Sequence, residues 1–201
     1  MEVDPLEVVE TVDVETPAHR RNARLNAMVA VTVAVLATFM GICKVKDDNI
    51  VQGMQQAQAD KLDAWGYYQA RNIRQDVATA TVEQLKLARL GRTGDEAAAY
   101  DAAVARYQEV AKSQEAKKEA LKVEAEKAQK TYDALNFRDD QFDLSDASLA
   151  IAIALLAVTA LTHLWWLYWL ALVPTGFGLV MGVAGLAALP IHPDALVRLL
   201  T

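Results

Sequence analysis

Two long runs without a charged residue constrain this chain more than any other feature of its sequence. Residues 147–191 contain no Asp, Glu, Lys or Arg over 45 positions, and residues 27–43 form a second such run of 17. A helix crosses the hydrocarbon core of a bilayer with about 20 apolar residues. The 17-residue run therefore predicts one membrane-spanning helix, and the 45-residue run, which is too long for one span, predicts two.

The turn between the last two spans has two candidate positions, residues 162–164 and residues 173–176. The first position is followed by Trp165, Trp166, Tyr168 and Trp169. Aromatic rings of this kind collect at the headgroup level of a membrane, so we favour the first position. Pro174 then lies inside the third span, where it should kink the helix.

The first span can also be read as the apolar core of a signal peptide, because basic residues precede it. A long acidic tail before those residues, and no small-residue cleavage pattern after the span, favour an uncleaved anchor instead. Three arginines lie before the span at positions 20, 21 and 24, whereas two lysines follow it at 44 and 46. This surplus of positive charge predicts that the N-terminus is cytoplasmic.

The charged segment between the spans predicts a helical hairpin. It contains no proline, and Gly91 and Gly94 mark a turn near its centre. Thr93 and Glu96 have the spacing of a capping box, which predicts a helix start. We expect a first arm at about residues 47–90 and a second at about residues 95–142.

The predicted fold class is therefore all-α, with three transmembrane helices and a long antiparallel coiled-coil hairpin. We divide the chain into an acidic tail, a first span with its basic flank, the hairpin, two further spans and a short interfacial helix. Their bounds are residues 1–18, 19–44, 45–146, 147–191 and 192–201.

The two arms differ in their predicted seams. The second arm shows a heptad of alternating steps of four and three, typical of a coiled coil: Tyr100, Val104, Tyr107, Ala111, Gln114, Lys118, Leu121, Ala125, Ala128, Tyr132, Leu135, Asp139 and Phe142. The seam predicted for the first arm has a spacing nearer 3.7 residues, which favours a straighter rod: Leu62, Trp65, Gln69, Ile73, Val77, Ala80, Gln84 and Ala88. A two-helix hairpin has little core of its own, so we expect it to pack against further protein.

Small residues recur at helical spacing in the spans, where they permit close helix packing in lipid. Alanine and glycine are also common in any apolar segment, so composition alone is an alternative explanation. The candidate span-packing residues are Ala30, Ala34, Ala37, Gly41, Gly178, Gly182 and Gly185.

An aromatic patch in the first arm is the candidate partner interface, although ordinary packing within the hairpin explains it equally well. Trp, Tyr and Arg are enriched at interface hot spots, and the patch consists of Trp65, Tyr67, Tyr68, Gln69 and Arg71. The stretch from Trp65 to Arg71 resembles the W-x-Y-Y-Q-A-K signature of an uncharacterised bacterial membrane family, a domain of unknown function. Arg71 stands where that family usually has Lys.

The layout is similar to that family's too: one N-terminal span, a long helical segment and two C-terminal spans. The resemblance implies a multi-pass protein of the bacterial inner membrane and implies no activity. With a cytoplasmic N-terminus, the hairpin is then expected in the periplasm.

No pattern in the sequence predicts catalysis. The three histidines and the single cysteine lack metal-ligand spacing, and no phosphate-binding loop is present. We therefore predict no enzyme activity, catalytic residue, cofactor or metal site. A net charge of −6 without a basic stripe argues against nucleic-acid binding.

Six acids should meet at the base of the two arms, where they form either a cation site or a solvated collar: Asp47, Asp48, Asp139, Asp140, Asp143 and Asp146.

The predicted function is structural. We expect an accessory protein, held by the lipid bilayer, that forms a homo-oligomer or docks onto another membrane protein through its spans and hairpin. The alternative is a component of an oligomeric channel or transporter. A periplasmic adaptor also fits the hairpin, but the sequence has no β-rich segment to form an adaptor body.

Overall fold

The computed structural model describes residues 17–191 and 193, which form three helices. They are α1 (Pro17–Arg89), α2 (Gly94–Thr162) and α3 (Trp165–Ala187). No strand occurs within these described residues, which confirms the all-α fold class. The predicted acidic tail and interfacial C-terminal helix lie outside the described residues, apart from the tail's last two residues and Pro193.

The helices begin and end at residues whose backbone chemistry explains the boundary. Helix α1 begins at Pro17, whose fixed φ suits the first turn. Gly91, between α1 and α2, and Gly94, the first residue of α2, have φ angles of +78° and +65°, a conformation that glycine adopts without a steric cost. His163 and Leu164 separate α2 from α3, at the first of the two turn positions considered above. Pro174 lies inside α3, which continues to Ala187.

The described chain divides into two compact units, which we call the span unit and the hairpin unit. The span unit comprises the described residues up to Asn49 together with those from Phe137 onward, and the hairpin unit is Ile50–Asn136. Each of the three helices contains a stretch that is long and apolar enough to cross a membrane.

The core of the span unit forms where all three helices meet. It contains Leu25, Val29 and Leu36 from α1, Leu149, Ala152 and Leu156 from α2, and Tyr168 and Ala171 from α3. The Tyr168 hydroxyl lies 3.2 Å from the Thr32 hydroxyl, so this buried phenol has a polar partner. The indoles of Trp166 and Trp169 are exposed, as expected for rings that face headgroups.

In the hairpin unit, the heptad predicted for the second arm coincides with the buried face. Every heptad position from Tyr100 to Leu135 is buried or half-buried. Cross-arm hydrogen bonds pair Arg71 with Gln114 and Lys61 with Gln129, so residue numbers fall on one arm as they rise on the other. The arms therefore pack antiparallel.

The seam predicted for the first arm is wrong. Seven of its eight residues are exposed, and only Trp65 is half-buried. The face that packs on the second arm is a strict heptad of alternating steps of four and three: Ile50, Met54, Ala57, Lys61, Ala64, Tyr68, Arg71, Gln75, Ala78, Val82, Leu85 and Arg89. Because Lys61, Arg71 and Gln75 interrupt this heptad, hydrophobicity alone selects the opposite face.

Candidate functional sites in the hairpin and the spans

Cations that are paired with amides line the middle of the hairpin seam. The Arg71 guanidinium donates to Gln114 Oε1 over 3.1 Å. Lys118 Nζ donates to Asn72 Oδ1 at 3.2 Å and to Gln75 Oε1 at 2.9 Å. Half-buried cations need acceptors, and amide oxygens supply them here without a carboxylate. The seam thus selects a register through directional polar contacts rather than through apolar volume alone.

The structure divides the predicted aromatic patch between the inside and the outside of the hairpin. Trp65 and Tyr68 are half-buried and meet edge to face, with ring centroids 5.2 Å apart. Lys118 Nζ lies 5.8 Å from the Tyr68 ring, so this ring belongs to the polar seam together with Arg71. Tyr67 is 63% exposed, and Gln69 is exposed as well. The patch is therefore not a single surface.

A second surface of the first arm faces away from the second arm. It is exposed and uncharged along its length, and we call it the outer stripe: Leu62, Gly66, Gln69, Ile73, Val77, Ala80, Gln84 and Ala88. Leu62 and Ile73 are each 62% exposed, and Val77 is 60% exposed. Large apolar side chains at a regular helical spacing, open to water, are typical of an interaction surface.

Three of the glycines of α3 pack inside the chain, namely Gly178, Gly182 and Gly185. A Cβ atom at Gly178 would lie 2.7 Å from Leu149 Cγ, and one at Gly182 would lie 2.6 Å from Phe39 Cε1. At Gly185 the nearest atom is Phe142 Cζ, at 2.8 Å. These glycines thus let α1 and α2 approach α3. The helix face that they form is therefore occupied by contacts within one copy of the chain. By contrast, four small residues of α1 are exposed: Ala30, Ala34, Ala37 and Gly41.

Polar side chains of α2 bind the carboxyl end of α3. The Arg138 guanidinium donates to the Gly185 carbonyl from Nη2 at 2.9 Å and from Nε at 3.3 Å. Gln141 is fully buried, and its amide donates to the carbonyls of Leu189 and Ile191. A cation at a helix carboxyl end also interacts favourably with the helix dipole. Sequence reasoning missed both residues, although their spacing of three on one helix was the available signal.

A buried carboxylate marks the acidic end of the span unit. Asp47 is 5% exposed, and its Oδ2 accepts from Lys44 Nζ over 2.9 Å. The neighbouring Asp139 has its pKa raised to about 7, first by burial and then by its hydrogen bond with Asp47, with further contributions from the negative charges of Asp143 and Asp140. Asp47 Oδ1 is also buried, and no amide, hydroxyl, ammonium or guanidinium group of the described residues donates a hydrogen bond to it. A proton on Asp139 would supply the missing donor.

The acidic end can therefore hold a proton at neutral pH. Lys44 pairs with Asp47, while burial and the surrounding carboxylates favour the neutral form of Asp139 by raising its pKa. Asp48 is exposed and also pairs with Lys44, at 3.3 Å. Within the described part of the chain, no three His, Cys, Asp or Glu side chains are arranged to hold a metal ion. The hypothesis that the six acids form a cation site therefore gains no support from the described residues.

Comparison with known proteins gives a family but no activity. A family model described as a domain of unknown function, DUF4337, matches residues 25–188. Neither the curated proteins nor the solved structures provide a match. The match covers all three helices' apolar stretches and the whole hairpin.

Proposed function

Since this chain belongs to the DUF4337 family, whose function is unknown, we propose a function from the geometry of its own surfaces. The protein is a structural or accessory component of a membrane, without enzyme activity. Its spans hold it in the bilayer, and its hairpin associates with other protein. Gly178, Gly182 and Gly185 already pack within the chain, and the exposed outer stripe makes the hairpin the part that recruits a partner.

The observation that carries this proposal is the exposure of the outer stripe. Leu62, Ile73 and Val77 each leave about 60% of their surface open to water. Burying such a side chain contributes about 1.5–3 kcal/mol when the burial is complete. Because the stripe carries no charge, contact with further protein can bury these three side chains without desolvating a charged group, so contact is the favourable state.

The direct test is the mass of the particle that the full chain forms. The protein is extracted from native membranes with a polymer that keeps its lipid ring, then purified and weighed by native mass spectrometry. We expect a particle heavier than one 22.0-kDa chain with its lipid. A strictly single-copy particle without any second protein contradicts the proposal.

The proposed location is the bacterial inner membrane, with the N-terminus in the cytoplasm and the hairpin in the periplasm. Three helices that are long and apolar enough to cross a membrane support a multi-pass protein, and the positive charges before the first span support this orientation. Thr93 lies in the exposed turn of the hairpin and provides the test. A Thr93→Cys variant in a Cys43→Ala background should react with an impermeant maleimide in cells whose outer membrane alone is opened. Reaction only after the inner membrane is broken contradicts the orientation.

A second candidate function is a part of an oligomeric channel or transporter. The observation that favours it is Asp139, a partly buried carboxyl close to the apolar stretches whose pKa is raised to about 7, because buried ionisable groups of membrane segments mark ion and proton pathways. Purified protein in liposomes under a pH gradient tests this candidate. Proton flux that Asp139→Asn abolishes would support it, whereas liposomes that stay tight with the wild type exclude it.

A further inference from the structure

The outer stripe repeats with a period of eleven residues. Leu62, Ile73 and Gln84 are equivalent positions, and so are Gly66, Val77 and Ala88. This period corresponds to 3.67 residues per turn, close to the 3.6 of a straight helix. The stripe therefore stays on one side of the first arm over more than two repeats. It can serve as a continuous seam for one other straight helix.

The outer stripe is chemically suited to pack against the outer stripe of a second copy. None of its eight members is charged, so placing one copy on another brings no like charges together. The outward face of the second arm is different, since exposed Lys117, Glu119, Lys122 and Glu124 crowd it. A charged face of that kind remains solvated, whereas the uncharged stripe gains from burial.

Membrane insertion fixes the direction in which two copies meet. Identical chains follow the same charge bias and insert with the same orientation. Because the first arm follows the first span directly in the sequence, the first arms of two copies that pair side by side both start from the same face of the membrane. A parallel pair with two-fold symmetry places each stripe residue opposite its own equivalent.

The charges that flank the stripe are complementary in this arrangement. Arg74 follows Ile73 directly and Asp76 precedes Val77 directly, so the two side chains lie on opposite flanks. In a parallel two-fold pair, each flank meets the opposite flank of the other copy. Arg74 is exposed, and the described residues offer it no hydrogen bond or ion pair. Asp76 accepts one hydrogen bond, from Asn72 at 3.3 Å, and is exposed as well.

We propose that the outer stripe packs on the outer stripe of a second copy of this chain. The two first arms lie parallel, and Arg74 of each copy lies beside Asp76 of the other. This inference rests on the proposed function, because it names the partner of the hairpin surface described there.

Disulfide trapping in native membranes tests the inference on the full chain. Ile73→Cys, in a Cys43→Ala background, should form a covalent dimer under mild oxidation several times faster than Thr79→Cys. Thr79 is the matched control, because it is exposed on the same arm but lies off the stripe. Equal rates for the two variants overturn the inference.

A charge exchange tests the predicted direction and register. Arg74→Asp should slow trapping through Ile73→Cys several-fold, and adding Asp76→Arg should restore the rate. Lys112→Asp, an exposed change on the second arm, should leave the rate unaltered. Circular dichroism of each variant checks that the helices persist. A double variant that traps no faster than Arg74→Asp overturns the proposed pairing.

The particle mass separates failure of this inference from failure of the proposed function. If the mass shows several copies, or a different protein, while Ile73→Cys does not trap, the stripe pairing is wrong and the proposed function stands. If the mass shows one copy alone and no trapping occurs, both are wrong.

Discussion

The span unit and the hairpin unit bring helices together by opposite means. In the span unit, Gly178, Gly182 and Gly185 leave no room for a side chain, because Leu149, Phe39 and Phe142 fill the space beside them. In the hairpin unit, long polar side chains reach across the seam and make hydrogen bonds, as Lys118 does to Asn72 and Gln75. In lipid, close contact supplies the attraction between helices. In water, burial of apolar side chains supplies the attraction, and polar contacts across the seam fix the register of the helices.

The largest effect that separates the two units is expected from filling a glycine. Gly178→Ala places a Cβ 2.7 Å from Leu149 Cγ and 3.1 Å from the Ser145 carbonyl, which cannot move without moving α2. We expect a loss of about 1–3 kcal/mol in the free energy of unfolding. Thermal unfolding of the detergent-extracted protein, followed by dye labelling of the buried Cys43, measures it.

Two glycines provide matched controls for that experiment. At Gly176 in the same helix and at Gly66 in the hairpin, an added Cβ would have no atom within 4 Å beyond the neighbouring residues of its own helix. Alanine at either position should be neutral or stabilising by up to about 1 kcal/mol, because alanine is the better helix former. If Gly178→Ala is as stable as Gly176→Ala, the close packing assigned to the spans is wrong.

The next effect concerns the proton in the span unit. The pKa of Asp139 is about 7, against an ordinary value of 3.8, so the folded protein holds this proton more tightly than the unfolded chain does. The corresponding stability is complete below about pH 4 and is lost as the pH rises through 7. Asp139→Asn should remove this dependence and exceed the wild type at pH 8 by roughly 1–2 kcal/mol, allowing for partial exposure to water.

Circular dichroism melts between pH 4 and pH 8 measure this difference. Asp63→Asn is the control in the hairpin unit, where the side chain is exposed, and its melting curves should follow those of the wild type. A wild type whose stability does not fall between pH 4 and pH 8, or an Asp139→Asn variant with the same slope, rules out the raised pKa of Asp139.

The smallest effect is expected in the hairpin seam. Lys118→Met keeps the apolar stem but removes the hydrogen bonds to Asn72 and Gln75, for a loss of about 1 kcal/mol. Lys117→Met changes an exposed neighbour and should have no measurable effect. Equal melting temperatures for the two variants would show that the polar seam adds nothing to stability.

The same contrast explains what could be predicted from sequence. The spans were predictable because absence of charge over a whole run is a strong signal, and the second arm was predictable because apolar or aromatic residues dominate its inner heptad. The inner face of the first arm was not, because Lys61, Arg71 and Gln75 lie there and the more apolar residues lie outside. The six acids were predicted to meet, but burial of Asp47 depends on packing that composition does not encode.

We propose above that a second copy covers the outer stripe in native membranes, whereas exposed residues beside the stripe on the first arm stay open to water. This proposal is tested most directly by the rate at which a water-soluble maleimide labels Ile73→Cys and Thr79→Cys in native membranes, each in a Cys43→Ala background. We expect Ile73→Cys to react several times more slowly than Thr79→Cys, and dilution into excess detergent to make the two rates equal. Equal rates in the membrane itself would contradict the proposal.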